Sequence, residues 1–133
     1  MKQLAALTVL ILFNGILYSQ TLGMTKQQII DNLKKKYPRN TLIVQNRCIV
    51  SGVTKTEFRT FFLDSTNKCC RIEQHGPADA VDFYKSTYSM TMQRMNDTTW
   101  CLDKENIRTM VNMKIYKDSF VAVTSQHKLG FLK

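Results

Sequence analysis

The sequence of 133 residues lacks the short motifs that mark most enzyme active sites. It contains no G-x-S-x-G nucleophile elbow, no H-E-x-x-H zinc site, no phosphate-binding P-loop and no G-x-G-x-x-G dinucleotide turn. These absences exclude the commonest signatures of esterases, zinc proteases, nucleotide hydrolases and dehydrogenases. We therefore expect no catalytic residues and no bound cofactor, and we predict that the protein is not an enzyme.

Patterns of metal ligands are also missing. There is no C-x-x-C pair, and the two histidines, His75 and His127, lie at no spacing typical of zinc ligands. No metal site is expected. His75 lies close in sequence to Cys70, which formally offers a nucleophile and its base. We disfavour that pair, because a reactive cysteine must stay reduced and this chain is predicted to be exported.

No apolar run is long enough to cross a bilayer comfortably, which takes about 20 apolar residues. The start of the chain instead combines one positive charge at Lys2, an apolar stretch, and the small residue Ser19 before polar Gln20. This pattern predicts a secretory signal peptide over residues 1–19, with a buried N-terminal helix as the alternative. Residues 20–133 then form one domain that is secreted or periplasmic and has no membrane span.

All four cysteines follow the predicted signal peptide, and an even number in an exported chain favours disulfide bonds. Three pairings are open, although a bond between the two neighbours would strain the peptide geometry. The candidate disulfide cysteines are Cys48, Cys69, Cys70 and Cys101.

Positive charge is in excess but scattered, with a formal net charge of +9. This predicts solubility and a loose attraction to acidic surfaces or polymers, without specific nucleic-acid binding. The one run of like charge is Lys34-Lys35-Lys36. We interpret it as cations at the negative end of a helix dipole, with a binding patch as the alternative.

Two segments show helical periodicity. Thr25 and Gln28 match a capping box, and the helix that follows is expected to end before Pro38. A second helix is predicted to open at Gly76-Pro77. The apolar stripes are Ile29, Ile30, Leu33 and Tyr37 in the first helix, and Ala80, Val81, Tyr84 and Tyr88 in the second.

The rest of the chain is rich in β-forming residues. Strands are predicted over residues 42–44, 48–50, 57–63, 68–73, 90–95, 98–102, 107–116 and 120–125. In the fourth of these, alternation places Cys70 and Ile72 on one face, and Cys69, Arg71 and Glu73 on the other. In 107–116, the odd-numbered residues form one face.

The two halves share one order of elements, a helix, two short strands and a longer hairpin, spaced about 52 residues apart. We therefore predict an α+β fold in which two helices pack on an antiparallel sheet. A tandem repeat of a helix followed by a β-meander is predicted over residues 23–75 and 76–128. The alternative is a single α+β domain with one irregular sheet.

The opening Gly23-Met24-Thr25-x-x-x-Ile29-Ile30 resembles the start of small secreted helix-then-sheet modules. These include the beta-lactamase-inhibitor-protein-like group, the outer-membrane-assembly lipoprotein modules related to it, and many short uncharacterised secreted bacterial proteins. The resemblance implies tandem helix-plus-sheet units. The chain departs from these modules in two ways: its first helix ends in Tyr37-Pro38 instead of Leu-Gly-x-Pro, and no cysteine follows the signal to carry a lipid. No functional residue carries over.

These patterns favour a non-catalytic binding domain whose partner is a protein or an envelope component. The contact is expected at the open sheet face or its loops, and an inhibitor of a secreted enzyme is one concrete form. The alternatives are a small secreted hydrolase and a basic protein that binds acidic polymers. Phe61, Trp100 and Tyr116 form the candidate binding surface, although the single tryptophan is also interpreted as a core residue. The oligomeric state is left open.

Overall fold

The structure is a computed structural model, and it describes residues 21–52 and 54–130. Within these ranges the chain forms two α-helices and one antiparallel sheet of eight strands, which confirms the predicted α+β fold. The predicted signal peptide, residues 1–19, lies outside the described residues.

Each helix precedes four consecutive strands that pair in chain order. The strands are arranged β1-β2-β3-β4-β8-β7-β6-β5, so the two four-stranded meanders meet at β4 and β8, and the sheet ends at β1 and β5. The tandem repeat stays a prediction, because a shared order of elements does not establish a duplication. The elements are α1 (Lys26–Lys36), β1 (Thr41–Val44), β2 (Cys48–Gly52), β3 (Phe58–Leu63), β4 (Cys69–Pro77), α2 (Val81–Thr91), β5 (Gln93–Asn96), β6 (Thr99–Lys104), β7 (Ile107–Ile115) and β8 (Ser119–Lys128).

Helix α1 begins and ends where the local signals predict. The Gln28 N–H donates to the Thr25 hydroxyl at 3.3 Å, and the Thr25 N–H donates to the Gln28 side-chain oxygen at 2.9 Å, which completes the capping box. The helix ends at Lys36, before Tyr37-Pro38. The lysine run therefore does lie in the last turn, where cations oppose the negative end of the helix dipole.

Helix α2 begins later than predicted. Strand β4 continues to Pro77, and a 3₁₀ turn over Ala78–Ala80 precedes the helix. The Ala78 N–H donates to the Asp118 carbonyl oxygen at 3.2 Å, which attaches this turn to the β7–β8 hairpin. At the other end, the predicted strand over 90–95 starts too early, because the helix runs on to Thr91.

Two apolar clusters lie between the helices and the sheet. The first core joins α1 to the first meander, and the second core joins α2 to the second. The buried members of the first core are Leu22, Ile29, Leu33, Ile49, Phe61, Leu63, Cys69 and Ile72. Those of the second core are Val81, Tyr84, Tyr88, Trp100, Val111, Met113, Phe120 and Ala122.

The alternation predicted for β4 is wrong at its start. A register shift lies between Phe62 and Leu63 of β3, so that Leu63 pairs with Cys69 while Phe62 pairs with Arg71. Two residues of β4 therefore oppose one residue of β3, as in a β-bulge. As a result, Cys69 and Ile72 are both buried, and the two residues between them, Cys70 and Arg71, are exposed.

The four cysteines are free thiols in this structure, so the predicted disulfides are not formed. Cys48 lies in β2 and Cys70 in β4, with β3 between them, and Cys101 lies in β6 of the other meander. Strands two apart are separated by about 9.5 Å, well beyond the Cα separation that a disulfide spans. Burial also raises the pKa of the Cys69 thiol to about 12, which keeps it protonated at neutral pH.

Candidate binding face of the sheet

The sheet has one face under the helices and one open face. Ile49, Phe61 and Ile72 are in register across β2, β3 and β4 and belong to the first core, which identifies the helix side. Alternate residues of each strand point the opposite way. The open face consists of Cys48, Val50, Phe58, Thr60, Phe62, Arg71, Glu73, His75, Val121, Val123, Ser125, Arg108, Met110, Asn112, Lys114, Thr99, Cys101 and Asp103.

An aromatic pair lies near the middle of the open face. Phe58 of β3 and His75 of β4 are in register, and their rings stack with centroids 4.5 Å apart and planes inclined by 11°. The His75 Nε2 lies 3.2 Å from a carboxylate oxygen of Glu73. Stacking on Phe58 and the contact with Glu73 together hold the imidazole in place, and its side chain is only partly exposed.

A second pair lies two rows further along the same two strands, beyond the Thr60–Glu73 pair. The Arg71 guanidinium carbon lies 4.1 Å from the centroid of the Phe62 ring, which is a cation–π contact. The Arg71 Nε also lies 3.3 Å from Glu73, so one carboxylate lies between the arginine and His75. Because Arg71 and Glu73 are partly exposed, the ion pair between them stabilises the fold by only about 0–1 kcal/mol. The main effect of the two Arg71 contacts is to fix the orientation of its side chain on the surface.

An arginine–carboxylate pair marks the far end of the same face. The two N–H groups of Arg108 donate to the two oxygens of Asp103 at 2.7 and 2.9 Å. The hydrogen bond from Arg108 lowers the pKa of the Asp103 carboxyl, and the same bond raises the pKa of the arginine. Both charges are retained at neutral pH. The exposed pair connects β6 to β7 through two parallel hydrogen bonds, which fix the geometry of the guanidinium and the carboxylate.

The structure does not bring the three predicted binding residues together. Phe61 belongs to the first core and is 3% exposed, and Trp100 is fully buried in the second core. The Trp100 indole N–H donates to the Ser89 hydroxyl at 2.9 Å, in agreement with its interpretation as a core residue. Neither Phe61 nor Trp100 is a surface contact. Tyr116 is 54% exposed and stays a candidate.

Sequence reasoning missed Phe58, Phe62, Arg71 and His75. Residues 58–63 are apolar at both parities, so β3 alone does not show which phenylalanines face outward. The signal lay in β4, where Arg71, Glu73 and His75 share one parity and mark the solvated side. The register between β3 and β4 then shows that Phe58 and Phe62 lie on the same solvated side, because they pair with His75 and Arg71.

The disfavoured cysteine–histidine pair is not assembled. Cys70 and His75 lie five positions apart on the extended strand β4, which corresponds to about 16 Å. A histidine beside a carboxylate does exist, in the contact between His75 and Glu73. Because of this contact, the alternative function named above, a small secreted hydrolase, stays a prediction. Among the described residues there is no group of three or more metal-ligating side chains.

A polar layer separates the two cores on the helix side. The Arg59 Nε donates to the buried side-chain oxygen of Gln74 at 2.6 Å, and the Arg59 guanidinium lies 5.6 Å from the Tyr37 ring. The Tyr84 hydroxyl donates to Glu57 at 3.0 Å, which links α2 to the loop before β3. A cavity of about 110 Å³ lies among these residues.

A larger cavity of about 260 Å³ opens beside it and reaches the edge of the sheet. We call it the edge cavity. Its walls come from the end of α1, the segment that follows, and β1 and β2. It is lined by Leu33, Lys34, Tyr37, Pro38, Asn40, Leu42 and Ser51.

Comparison of the chain with protein-family models, with curated proteins and with solved structures found no match. The resemblance to the beta-lactamase-inhibitor-protein-like group therefore stays a prediction. In the described part of the chain, neither helix has the length and apolar character needed to cross a membrane.

Proposed function

We propose that the protein is an exported, non-catalytic domain that binds another protein through the open face of its sheet. The export rests on the signal-like residues 1–19. The binding site is the strip of β3 and β4 made by Phe58, Phe62, Arg71 and His75, which we call the central strip. Inhibition of a secreted enzyme is one concrete form of this function.

The observation that carries the proposal is the stacking of Arg71 on Phe62. An arginine that is held by an aromatic ring and a carboxylate is already ordered before a partner arrives. Binding then costs less side-chain entropy, which is a large part of the free energy lost on association. Arginine and aromatic side chains are also the residues most enriched in the hot spots of protein interfaces.

The setting of the central strip fits the same role. It lies on β3 and β4, near the middle of the sheet, and Val121 and Val123 of the neighbouring β8 extend it with apolar surface. The charged residues Lys114, Arg108 and Asp103 lie toward its margin on β7 and β6. Protein interfaces are enriched in aromatic residues and arginine and have a polar rim, so this arrangement supports the proposal.

The test uses charge reversal at the centre of the strip. The full chain is exposed to the extracellular proteins of its own source, a bound protein is captured by crosslinking, and its dissociation constant is measured by calorimetry. Arg71→Glu should weaken binding by at least about tenfold, because it removes the stacked cation and adds a carboxylate beside Glu73.

Lys104→Glu is the matched control. It changes the net charge by the same amount at an exposed position on the other face of β6. We expect it to change the dissociation constant less than about threefold, as rim charges do. Equal weakening by both variants would assign the affinity to overall charge. Wild-type affinity for Arg71→Glu, with an unchanged circular dichroism spectrum, would refute the central strip.

A further inference from the structure

The two edges of the sheet are built differently. At β5, the register with β6 is irregular between Arg94 and Asn96, and the Arg94 Nε donates to the Asn96 carbonyl oxygen at 3.1 Å. A bulge and a charged side chain are two devices that protect a sheet edge from further pairing. At β1, the side chains of Ile43 and Val44 are apolar and are 49% and 47% exposed.

The backbone of β1 presents unpaired groups on its outer side. The Gln45 N–H donates to the Cys48 carbonyl oxygen at 2.9 Å, so these two residues form a hydrogen-bonded pair at the end of the β1–β2 ladder. Hydrogen-bonded and non-hydrogen-bonded pairs alternate along an antiparallel ladder. The Ile43 pair is therefore bonded to β2, and the N–H and C=O groups of Leu42 and Val44 point outward.

The edge cavity lies where an added strand would place its side chains. Leu42 of β1 lines the cavity together with Leu33 and Pro38, on the helix side of the sheet. A strand paired with β1 would direct alternate side chains to that side. The volume of about 260 Å³ equals that of roughly nine liquid water molecules, which is enough for one bulky apolar side chain.

The charges around β1 define the chemistry of its partner. Arg39 precedes the strand, Arg47 follows it, and Lys34 lines the edge cavity. A second copy paired antiparallel at Ile43 would bring Arg39 of each chain close to Arg47 of the other, at both ends of the contact. Residues 1–20 of the same chain carry no acidic side chain that could meet these cations. Charge complementarity therefore favours an acidic segment of another protein.

We propose that β1 is a strand-addition site for an extended protein segment with one bulky apolar side chain between acidic residues. The backbone of the segment pairs with Leu42 and Val44, and its apolar side chain enters the edge cavity. Acidic residues on either side of it meet Arg39, Lys34 and Arg47. In this mode of recognition, backbone hydrogen bonds supply affinity, and pockets for alternate side chains supply specificity.

The test compares two substitutions at Val44 in the full chain. The probe is the fluorescein-labelled peptide Glu-Asp-Val-Phe-Val-Asp-Glu, and binding is followed by fluorescence anisotropy. Val44→Pro removes an outward N–H without removing a bond to β2, and we expect it to weaken binding by at least about tenfold. Val44→Thr keeps the N–H and the branched shape, and it should stay within about threefold of wild type. Amide NMR shifts should map to Leu42 and Val44.

A second peptide, Lys-Lys-Val-Phe-Val-Lys-Lys, tests the charges and should bind at least about tenfold more weakly. Equal binding of both peptides, no saturable binding of the acidic peptide, or wild-type affinity for Val44→Pro would each overturn the proposal. If the Leu42 and Val44 amides are protected from exchange in a dimer, β1 pairs with a second copy of the chain. If they are protected in a monomer without peptide, β1 pairs with another segment of the same chain. Either result would overturn the proposal. Heparin that shifts these amides as strongly as the peptide would overturn the choice of a protein segment.

Discussion

The two halves of the molecule use the same order of elements but fill their cores with different side chains. The first core is mainly aliphatic, with Ile29, Ile49 and Ile72 at its centre. The second core is mainly aromatic, with Tyr88 and Trp100 buried against each other. The difference shows that a helix packed on a four-stranded meander requires a sufficient buried apolar volume, and that quite different side chains can supply it.

The aromatic core is the more exacting of the two. The rings of Tyr88 and Trp100 lie 5.4 Å apart, and those of Tyr84 and Phe120 lie 5.0 Å apart. Such pairs depend on ring orientation as well as on buried area. The indole N–H of Trp100 adds a hydrogen bond to Ser89 at 2.9 Å. A lost side chain should therefore cost more in the second core than in the first.

The largest effect is expected from Trp100→Ala, at about 3–5 kcal/mol of unfolding free energy, because it opens a cavity among fixed rings. Ile49→Ala, at a fully buried position of the first core, removes a smaller side chain and should cost less, about 2–4 kcal/mol. Tyr116→Ala removes an exposed ring and should stay within about 0.5 kcal/mol. Urea unfolding followed by far-ultraviolet circular dichroism measures all three.

Equal costs for Trp100→Ala and Ile49→Ala would remove the distinction between the cores. A cost for Tyr116→Ala as large as that of either core variant would contradict the exposure of this ring and end its candidacy as a surface contact.

The seam between the halves provides the next test. Gly76 of β4 lies under the Phe120 ring of β8, and a Cβ at Gly76 would stand 2.5 Å from a ring carbon. Gly76→Ala should cost about 1–3 kcal/mol, because a buried ring can move aside only by disturbing the aromatic core. Gly130→Ala, where a Cβ meets nothing within 4 Å, is the control and should stay within about 0.5 kcal/mol. If Gly76→Ala left the free energy of unfolding unchanged, the second core would accommodate the added methyl group as easily as an aliphatic core does.

Local signals account for the parts of the fold that could be predicted from the sequence. The capping box at Thr25 and the stop at Pro38 act within a few residues, so α1 was predicted correctly. The predicted start of α2 at Gly76-Pro77 is too early, because proline suits both the first turn of a helix and the end of a strand.

The central strip required information that no single segment contains. The register shift between Phe62 and Leu63 reverses the predicted faces of Cys69 and Cys70, and nothing local marks it. The pairing of β4 with β8, more than 40 residues apart in the sequence, joins the two meanders. Both features are set by contacts between strands, and these decide which residues become the open face.

The smallest predicted effect concerns the pKa values of two carboxyl groups, one from each half of the molecule. Asp64, in the turn after β3, has a lowered pKa chiefly because it accepts hydrogen bonds from Thr66 and from the Lys68 N–H. Asp97, in the turn after β5, has a lowered pKa chiefly because of Lys85, with Arg94 adding to it. Both groups contribute stability at neutral pH, and this contribution is lost as the pH falls through the lowered pKa values.

Salt should separate these two causes. At 1 M salt the screening length falls to about 3 Å, so the charges of Lys85 and Arg94 act less on Asp97. We expect the pKa of Asp97 to rise toward its ordinary value of 3.8, and that of Asp64 to move less, because hydrogen bonds from a hydroxyl and a backbone N–H are not ion pairs. Carboxyl NMR titrations at low and high salt measure both shifts. Equal movement of the two pKa values would show that charge, and not turn geometry, lowers the pKa in both halves.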